Sequence, residues 1–269
     1  LTCHPSIQDS RSTMQKEEEL LRKRLIELSK IACHRNFITY TDFLNLNELN
    51  ILHTLPKDTL YTPYRTFGGY ASSERQIAAF LPDALCLRSE IEDLAYPMGI
   101  IHILPRSQKF SEQLSHRDYL GALLSLGIER SKIGDIIVEE QGAFVFVSDK
   151  LLSYVCKEMT QIRRTQVIVC EESFSEFHYT QKYEKITGTV ASVRLDTLLS
   201  LAFSSSRSRL SPLIEAGKVF VNGKLISSNG YNVKEDDVIS VRGYGKFIYR
   251  KVISQTKKGR LLVEIHKLI

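Results

Sequence analysis

The sequence predicts an α+β protein in three parts: a helical N-terminal region over 14–90, a βαββαβ middle domain over 91–172, and a small α+β domain over 188–269, with a polar linker at 173–187. Three observations carry this prediction. Leucines spaced by three and four open the patterned part of the chain. Strand-period and helix-period segments then alternate from about Ile91. After Gly188, two short helical patterns are followed by repeated apolar alternation, in a segment that holds the excess positive charge. A length of 269 residues leaves room for two or three separate cores.

Met14 opens the first clearly patterned segment, and residues 1–13 are left out of the fold argument. Leu21, Leu25, Leu28 and Ile31 or Ala32 form one face of an amphipathic helix ending near His34, glutamate-rich at its start and basic later. A second helix is expected after Thr41 or Asp42 as N-cap and before Pro56. Pro63 and Gly68-Gly69 punctuate a loop-rich stretch, and Ala71 to Pro82 reads equally as a short helix or a strand. In the middle domain Gly99–Leu104 reads as a strand and Ser115–Leu126 as a helix with a Ser115-x-x-Asp118 capping box. Asp135–Glu139 and Phe144–Ser148 read as strands flanking Gln141-Gly142, Leu151–Ile162 as a helix and Gln166–Cys170 as a strand. This order is the split-βαβ arrangement, shared by many RNA-recognition (RRM-like) modules but also by metal-binding and purely structural domains.

In the last part Val193–Leu201 has helical spacing. Phe203-Ser204-Ser205-Ser206 offers a staple and N-caps for a second helix to Ala216, and Gly217 closes it. Val219, Val221 and Leu225 alternate around Asn222-Gly223, Val238–Val241 follows an acidic turn, and Phe247–Ile253 and Leu261–Ile265 bracket Lys257-Lys258-Gly259 as a hairpin. Pro212 falls inside the second helix, where a missing amide donor costs on the order of 3 kcal/mol, so a shorter or kinked helix is expected.

Composition excludes several classes. No run of eighteen apolar residues occurs and the first residues lack a basic stretch followed by an apolar block, so neither a membrane span nor a secretory signal is indicated, and a cytoplasmic location is expected. The five cysteines are scattered without a C-x-x-C pair, which argues against a disulfide framework and a cysteine zinc site; Cys156 and Cys170, in apolar stretches, are expected to be buried. The seven histidines are dispersed and no metal-ligand spacing occurs, so no metal and no organic cofactor is expected. The net charge of +5 is uneven: from Gly188 onward there are 14 Lys+Arg against 6 Asp+Glu, and before it 22 against 25. A compact basic domain on a slightly acidic body favours a polyanionic partner.

Arg207 and Arg209 stand in the first turn of the second C-terminal helix, whose free amides already favour phosphate, and Lys218, Lys224, Arg242 and Lys246 extend the positive surface. Asn222 either adds a neutral hydrogen bond beside them or serves only as a turn residue. The segments R-L-D (Arg194–Asp196), S-S-R-S-R (Ser205–Arg209), L-I-E-A-G-K-V-F-V-N-G-K (Leu213–Lys224) and D-D-V-I-S-V-R-G (Asp236–Gly243) closely resemble the S4-type RNA-binding domain. That resemblance implies two helices on a small sheet, with RNA backbone contacted by the start of the second helix and the adjoining strand loops. Gly68–Asp83 (G-G-Y-A-S-S-E-R-Q-I-A-A-F-L-P-D) and His116–Ile136 resemble the bacterial YlmH family, and the likeness then spans nearly the whole chain from Met14. It implies an RNA-binding protein of the large ribosomal subunit and peptidyl-tRNA, acting on stalled synthesis, with ribosomal RNA and tRNA as partners.

Phe144 and Phe146 share one strand face, and with His102 they form either a base-stacking platform or part of the core. His116-Arg117-Asp118 is better explained as a helix start than as a catalytic group. No G-x-G-x-x-G after a strand, G-x-x-x-x-G-K-[ST] or H-E-x-x-H occurs, and no catalytic residue is expected. Arg194-Leu195-Asp196 resembles the triplet around the catalytic aspartate of pseudouridine synthases, but here it lies in the domain's own first helix. An RNA-modifying enzyme and a ribosome-tethered scaffold are the rival readings.

Overall fold

The computed structural model describes residues 7–82, 94–107, 111–177, 179 and 182–269. The end of the expected N-terminal region and the start of the middle domain, at 83–93, lie outside them. The chain divides into two compact units, Leu1–His178 and Tyr179–Ile269.

In the first unit α1 (Ile7–Arg35) buries Leu25, Leu28 and Ala32 with Leu49 and Leu52 of α2 (Leu46–Thr54). The N-cap of α2 is Asn45, not Thr41 or Asp42. Its side-chain oxygen accepts the amides of Asn47 and Glu48 at 2.9 and 3.2 Å, and the Glu48 carboxylate takes the Asn45 amide at 2.6 Å, a reciprocal capping box. Thr41 instead accepts the Ala78 amide at 2.9 Å, and Asp42 pairs with Lys132.

The region expected to be helical also holds a small antiparallel sheet. Its strands β1 (Thr39–Tyr40), β2 (Tyr64–Phe67) and β3 (Ile77–Phe80) run in the order β1-β3-β2. The ambiguous stretch becomes β3 because its four apolar residues, all buried, are flanked by a strand on each edge.

The βαββαβ order is present: β4 (Met98–Pro105), α3 (His116–Ser125), β5 (Ile133–Glu139), β6 (Gly142–Ser148), α4 (Leu152–Glu158) and β8 (Thr165–Glu172). α4 stops earlier than expected. Arg163, at φ +54°, turns the chain so that β7 (Gln161–Ile162) pairs back onto Thr165 and Gln166. The antiparallel sheet runs β5-β6-β4-β8-β7, with the first and third module strands central. Ile101, Ile103, Val145, Val147, Val167 and Val169 face the helices and pack with Tyr119, Leu123 and Val155. Period two sends Ile168 and Cys170 to the other face, so Cys170 is exposed, not buried, and Cys156 is only half-buried.

The second unit is a six-stranded antiparallel sheet in the order β11-β10-β12-β13-β14-β9, with two helices against one face. Its members are β9 (Tyr183–Val190), α5 (Leu195–Ala202), α6 (Arg207–Glu215), β10 (Val219–Val221), β11 (Lys224–Leu225), β12 (Val238–Val241), β13 (Gly245–Gln255) and β14 (Leu261–Leu268).

The expected linker at 173–187 needs correction. From Tyr183 it is a strand, paired with β14 over eight residues. Only Val190 on it is buried and the rest is partly or fully exposed, as befits an edge strand, so it carried no clear apolar period. α6 passes through Pro212 without ending. Pro212 and Ser208 are both exposed, which leaves the Ser208 carbonyl, deprived of its helical donor, on the solvent side. α6 closes at Gly217, φ +67°, with Lys218 N–H donating to Leu213 and Gly217 N–H to Ile214, a Schellman turn.

Candidate nucleic-acid interface

Asp196 organises the entry to α6. It is 4% exposed in the first turn of α5 and accepts from Arg207 and, at 3.2 Å, from Arg194. Burial opposes ionisation, but the hydrogen bond and charge of Arg207, with the charge of Arg194, hold its carboxyl below the usual carboxylate range. Arg207, expected to reach phosphate, is therefore partly engaged within the protein and joins α6 to α5. Arg194, noted in the sequence only as part of the Arg194-Leu195-Asp196 triplet, belongs to the same cluster. Arg209, two residues on, is exposed.

The other expected cations lie elsewhere. Val219, Val221, Val241 and Phe247 face the helices, so alternation puts Lys218, Arg242 and Lys246 on the opposite face. Arg242 confirms this parity, for its guanidinium lies 5.2 Å above the ring of Phe220, and its amide donates to the Lys218 carbonyl at 2.9 Å. Lys224, opposite Val221, takes the helix side at the hairpin end. The expected single surface is thus divided: Arg209 stands at the N-terminal end of α6, Lys218, Arg242 and Lys246 lie on the opposite face of the sheet, and Lys224 lies at the β10–β11 hairpin end.

Asn222 is a turn residue. With φ +49° beside Gly223 at φ +77°, it forms a two-residue hairpin loop between β10 and β11. Its amide group donates to Asp237 at 2.7 Å and its oxygen accepts the Val238 amide at 2.9 Å, so both ends of the side chain are occupied within the protein. Asp237 in turn takes the Lys234 amide.

In the first unit the non-helical face of the middle sheet carries His102, Phe144 and Phe146. Phe146 is completely buried and stacks on Tyr70 at 5.6 Å, with Phe177 edge-on at 5.3 Å, so it does not offer a face to a base. His102 and Phe144, cross-strand partners on β4 and β6, stack on each other at 4.0 Å, and Phe177 meets Phe144 edge-on. Burial lowers the basicity of His102 despite Glu172 and Glu139 nearby.

The Tyr70–Arg75 part of the glycine-led motif docks on this sheet. Asp135 of β5 accepts the Tyr70 hydroxyl at 2.8 Å and the amides of Glu74 and Arg75 at 2.7 and 3.0 Å. The Arg75 guanidinium donates to the carbonyls of Ile133, Phe43 and Arg130. Burial lowers the pKa of Arg75, and burial beside Arg75 brings Arg130 to about 10. Asp118 takes the amide and hydroxyl of Ser115 and a contact from Arg163, which makes His116-Arg117-Asp118 a helix start.

Among the described residues no group of three metal-ligating side chains occurs, and no helix is long and apolar enough to cross a membrane.

A basic two-helix-on-sheet unit following a split-βαβ module is an arrangement that RNA-binding proteins share with other classes. Residues 95–176 match the family described as the putative RNA-binding domain in YlmH, and residues 193–239 match the S4 domain. The chain is 28% identical over 255 residues to the Ribosome-associated protein quality control protein P2 of Bacillus subtilis (strain 168), covering 94% of this chain and 96% of that one. Among solved structures it matches the Cell division protein ylmH from Streptococcus pneumoniae at 24% identity and a TM-score of 0.45, over 65% of this chain and 98% of that one. The chain is thus similar to the YlmH proteins and carries, over these two segments, likenesses to RNA-binding domain families, the second of them S4-type.

Proposed function

We propose that this chain is a non-catalytic, ribosome-associated RNA-binding factor that holds ribosomal RNA or tRNA on the large subunit during rescue of stalled translation. The observation that carries the reading is the confinement of the excess positive charge to the S4-type unit. Arg209 stands beside the first-turn amides of α6, Lys218, Arg242 and Lys246 lie on the opposite face of the sheet, and Lys224 lies at the hairpin. The separated cations suit a sugar–phosphate backbone gripped at several places rather than a base read at one. The name of the Bacillus subtilis relative supports ribosomal quality control as the setting. Cytoplasmic residence follows from that setting.

Co-sedimentation of the purified chain with isolated large and small ribosomal subunits, in a salt series, tests the reading. Salt-sensitive association with the large subunit is expected, with ribosomal RNA or tRNA recovered in crosslinks. A chain that stays at the top of the gradient with both subunits would overturn it, and altered nucleosides in RNA incubated with the protein would replace it with an RNA-modifying enzyme.

A further inference from the structure

β13 continues past its pairing with β12 and, with the turn to β14, forms an arm: one edge of β13 is unpaired, and its other edge is held by β14, which β9 backs as far as Val190. β12 partners β13 only as far as Ile248, whereas β13 runs to Gln255. Every residue from Arg250 to Arg260 is exposed, the segment R-K-V-I-S-Q-T-K-K-G-R contains no acidic residue, and Val252 and Ile253 are 37% and 44% exposed. Two of its five cations are engaged within the protein, one at the base and one beside the tip. Arg250 pairs with Asp236, and Arg260 donates to the Thr189 carbonyl at 3.0 Å.

Lys251, Lys257 and Lys258 carry no such contact. The tip that bears the last two is built rather than loose. The Thr256 amide donates to the Arg260 carbonyl at 2.7 Å, the Arg260 amide to the Thr256 hydroxyl at 3.0 Å and the Gly259 amide to the Thr256 carbonyl at 2.9 Å, with Gly259 at φ +76°.

We infer that this arm is a second RNA-binding element, separate from the α6 surface, which lays Lys251, Lys257 and Lys258 along the phosphates of an RNA helix and Val252 and Ile253 against its sugars. The inference rests on the RNA-binding reading above. A lysine on an open edge strand also prevents edge-to-edge pairing, and Lys251 alone would meet that need. Edge protection gives no reason for two further lysines on an ordered tip past the last strand pair. Backed by β9 on β14, the arm is three strands wide up to its tip and too broad for the deep, narrow major groove of A-form RNA, so it follows backbone across the shallow minor groove and is tolerant of sequence.

The test uses the full chain and a blunt-ended RNA duplex as probe, with binding followed by fluorescence anisotropy across a salt series. Two variants are compared with the parent: Lys251→Gln/Lys257→Gln/Lys258→Gln on the arm, and Arg209→Gln/Lys218→Gln at the ends of α6. The arm variant, losing three phosphate contacts, is expected to lower the slope of log affinity against log salt by about 2–3 and to weaken binding about 100-fold at physiological salt. Thermal unfolding of the arm variant should match the parent, since the three side chains are solvated. An arm variant with the parental slope, alongside a reduced slope for the α6 variant, overturns the arm and leaves the α6 surface standing. A parent chain that does not bind the duplex at low salt removes both.

Discussion

Gly69 is the point at which one added methyl group tests the docking of the first unit. Its φ is +102°, and a Cβ built there falls 2.1 Å from one carbon of the Phe146 ring and 2.4 Å from another. Phe146 has nowhere to go, being fully buried on a central strand between Tyr70, Phe174 and Phe177.

Gly69→Ala therefore adds a backbone cost of about 1–2 kcal/mol for a left-handed alanine and an overpacking cost of roughly 1–3 kcal/mol. The sum, about 2–5 kcal/mol, lowers the melting temperature of a unit of this size by roughly 5–15 °C. Differential scanning calorimetry on the full chain reads the shift. The overlap share is separated by a double-mutant cycle with Phe146→Leu: removing the ring costs stability by itself, but Gly69→Ala should cost less in that background, leaving mainly the backbone part. A melting temperature within two degrees of the parent for Gly69→Ala, or strict additivity in the cycle, would refute the packing argument.

Asp196→Asn should destabilise the second unit by about 1–3 kcal/mol at neutral pH, since two arginines lose a charged acceptor. Because its folded pKa is depressed, this stabilisation is present above the unfolded value near 4 and vanishes as pH falls through the folded one; urea unfolding at pH 7 and pH 3 should show the gap between variant and parent closing in acid. Asn222→Ala should cost about 1–3 kcal/mol through the unpaired Val238 amide and Asp237, and Asn222→Gly less through the backbone, with RNA affinity of the folded protein unchanged in both. A selective loss of binding without loss of stability would restore Asn222 as a contact. Arg209→Ala should reduce the salt slope of RNA binding by about 0.7–0.9 with no change in melting temperature, whereas Arg207→Ala should also lower that temperature because Asp196 loses a partner.

What the sequence disclosed was whatever depends on neighbours along the chain. Ser115 with Asp118, the Asn222-Gly223 turn and the Gly217 helix stop are local signals, and the hairpin around Lys257-Lys258-Gly259 combines turn residues with alternation on both sides. The strand at Tyr183–Val190 was hidden because an edge strand with one face in water needs few apolar residues, and its partner lies some eighty residues further on. The N-terminal sheet was hidden because β1 is two residues long and β3 reads as a short apolar run of either kind. At the candidate site, composition located the basic surface but not the prior engagement of its members. Asp196 and Arg207 are eleven residues apart, and Asn222 and Asp237 fifteen. The division of the cations between the two faces follows from strand parity, which depends on the register of β10 against β12 and is fixed only by the folded sheet.

The single carboxylate of Asp135 receives three donors from the stretch between Tyr70 and Arg75, while the ring of Phe146 is roofed by Tyr70 from the same stretch. A protein assembled from exchangeable modules keeps such connections few at its seams. Here the seam between the N-terminal helices and the split-βαβ sheet is sewn through the interior, so a transplanted sheet would arrive with an acid lacking its donors and a bare phenyl ring. An exchange within the first unit keeps this seam intact only if it carries both of its sides.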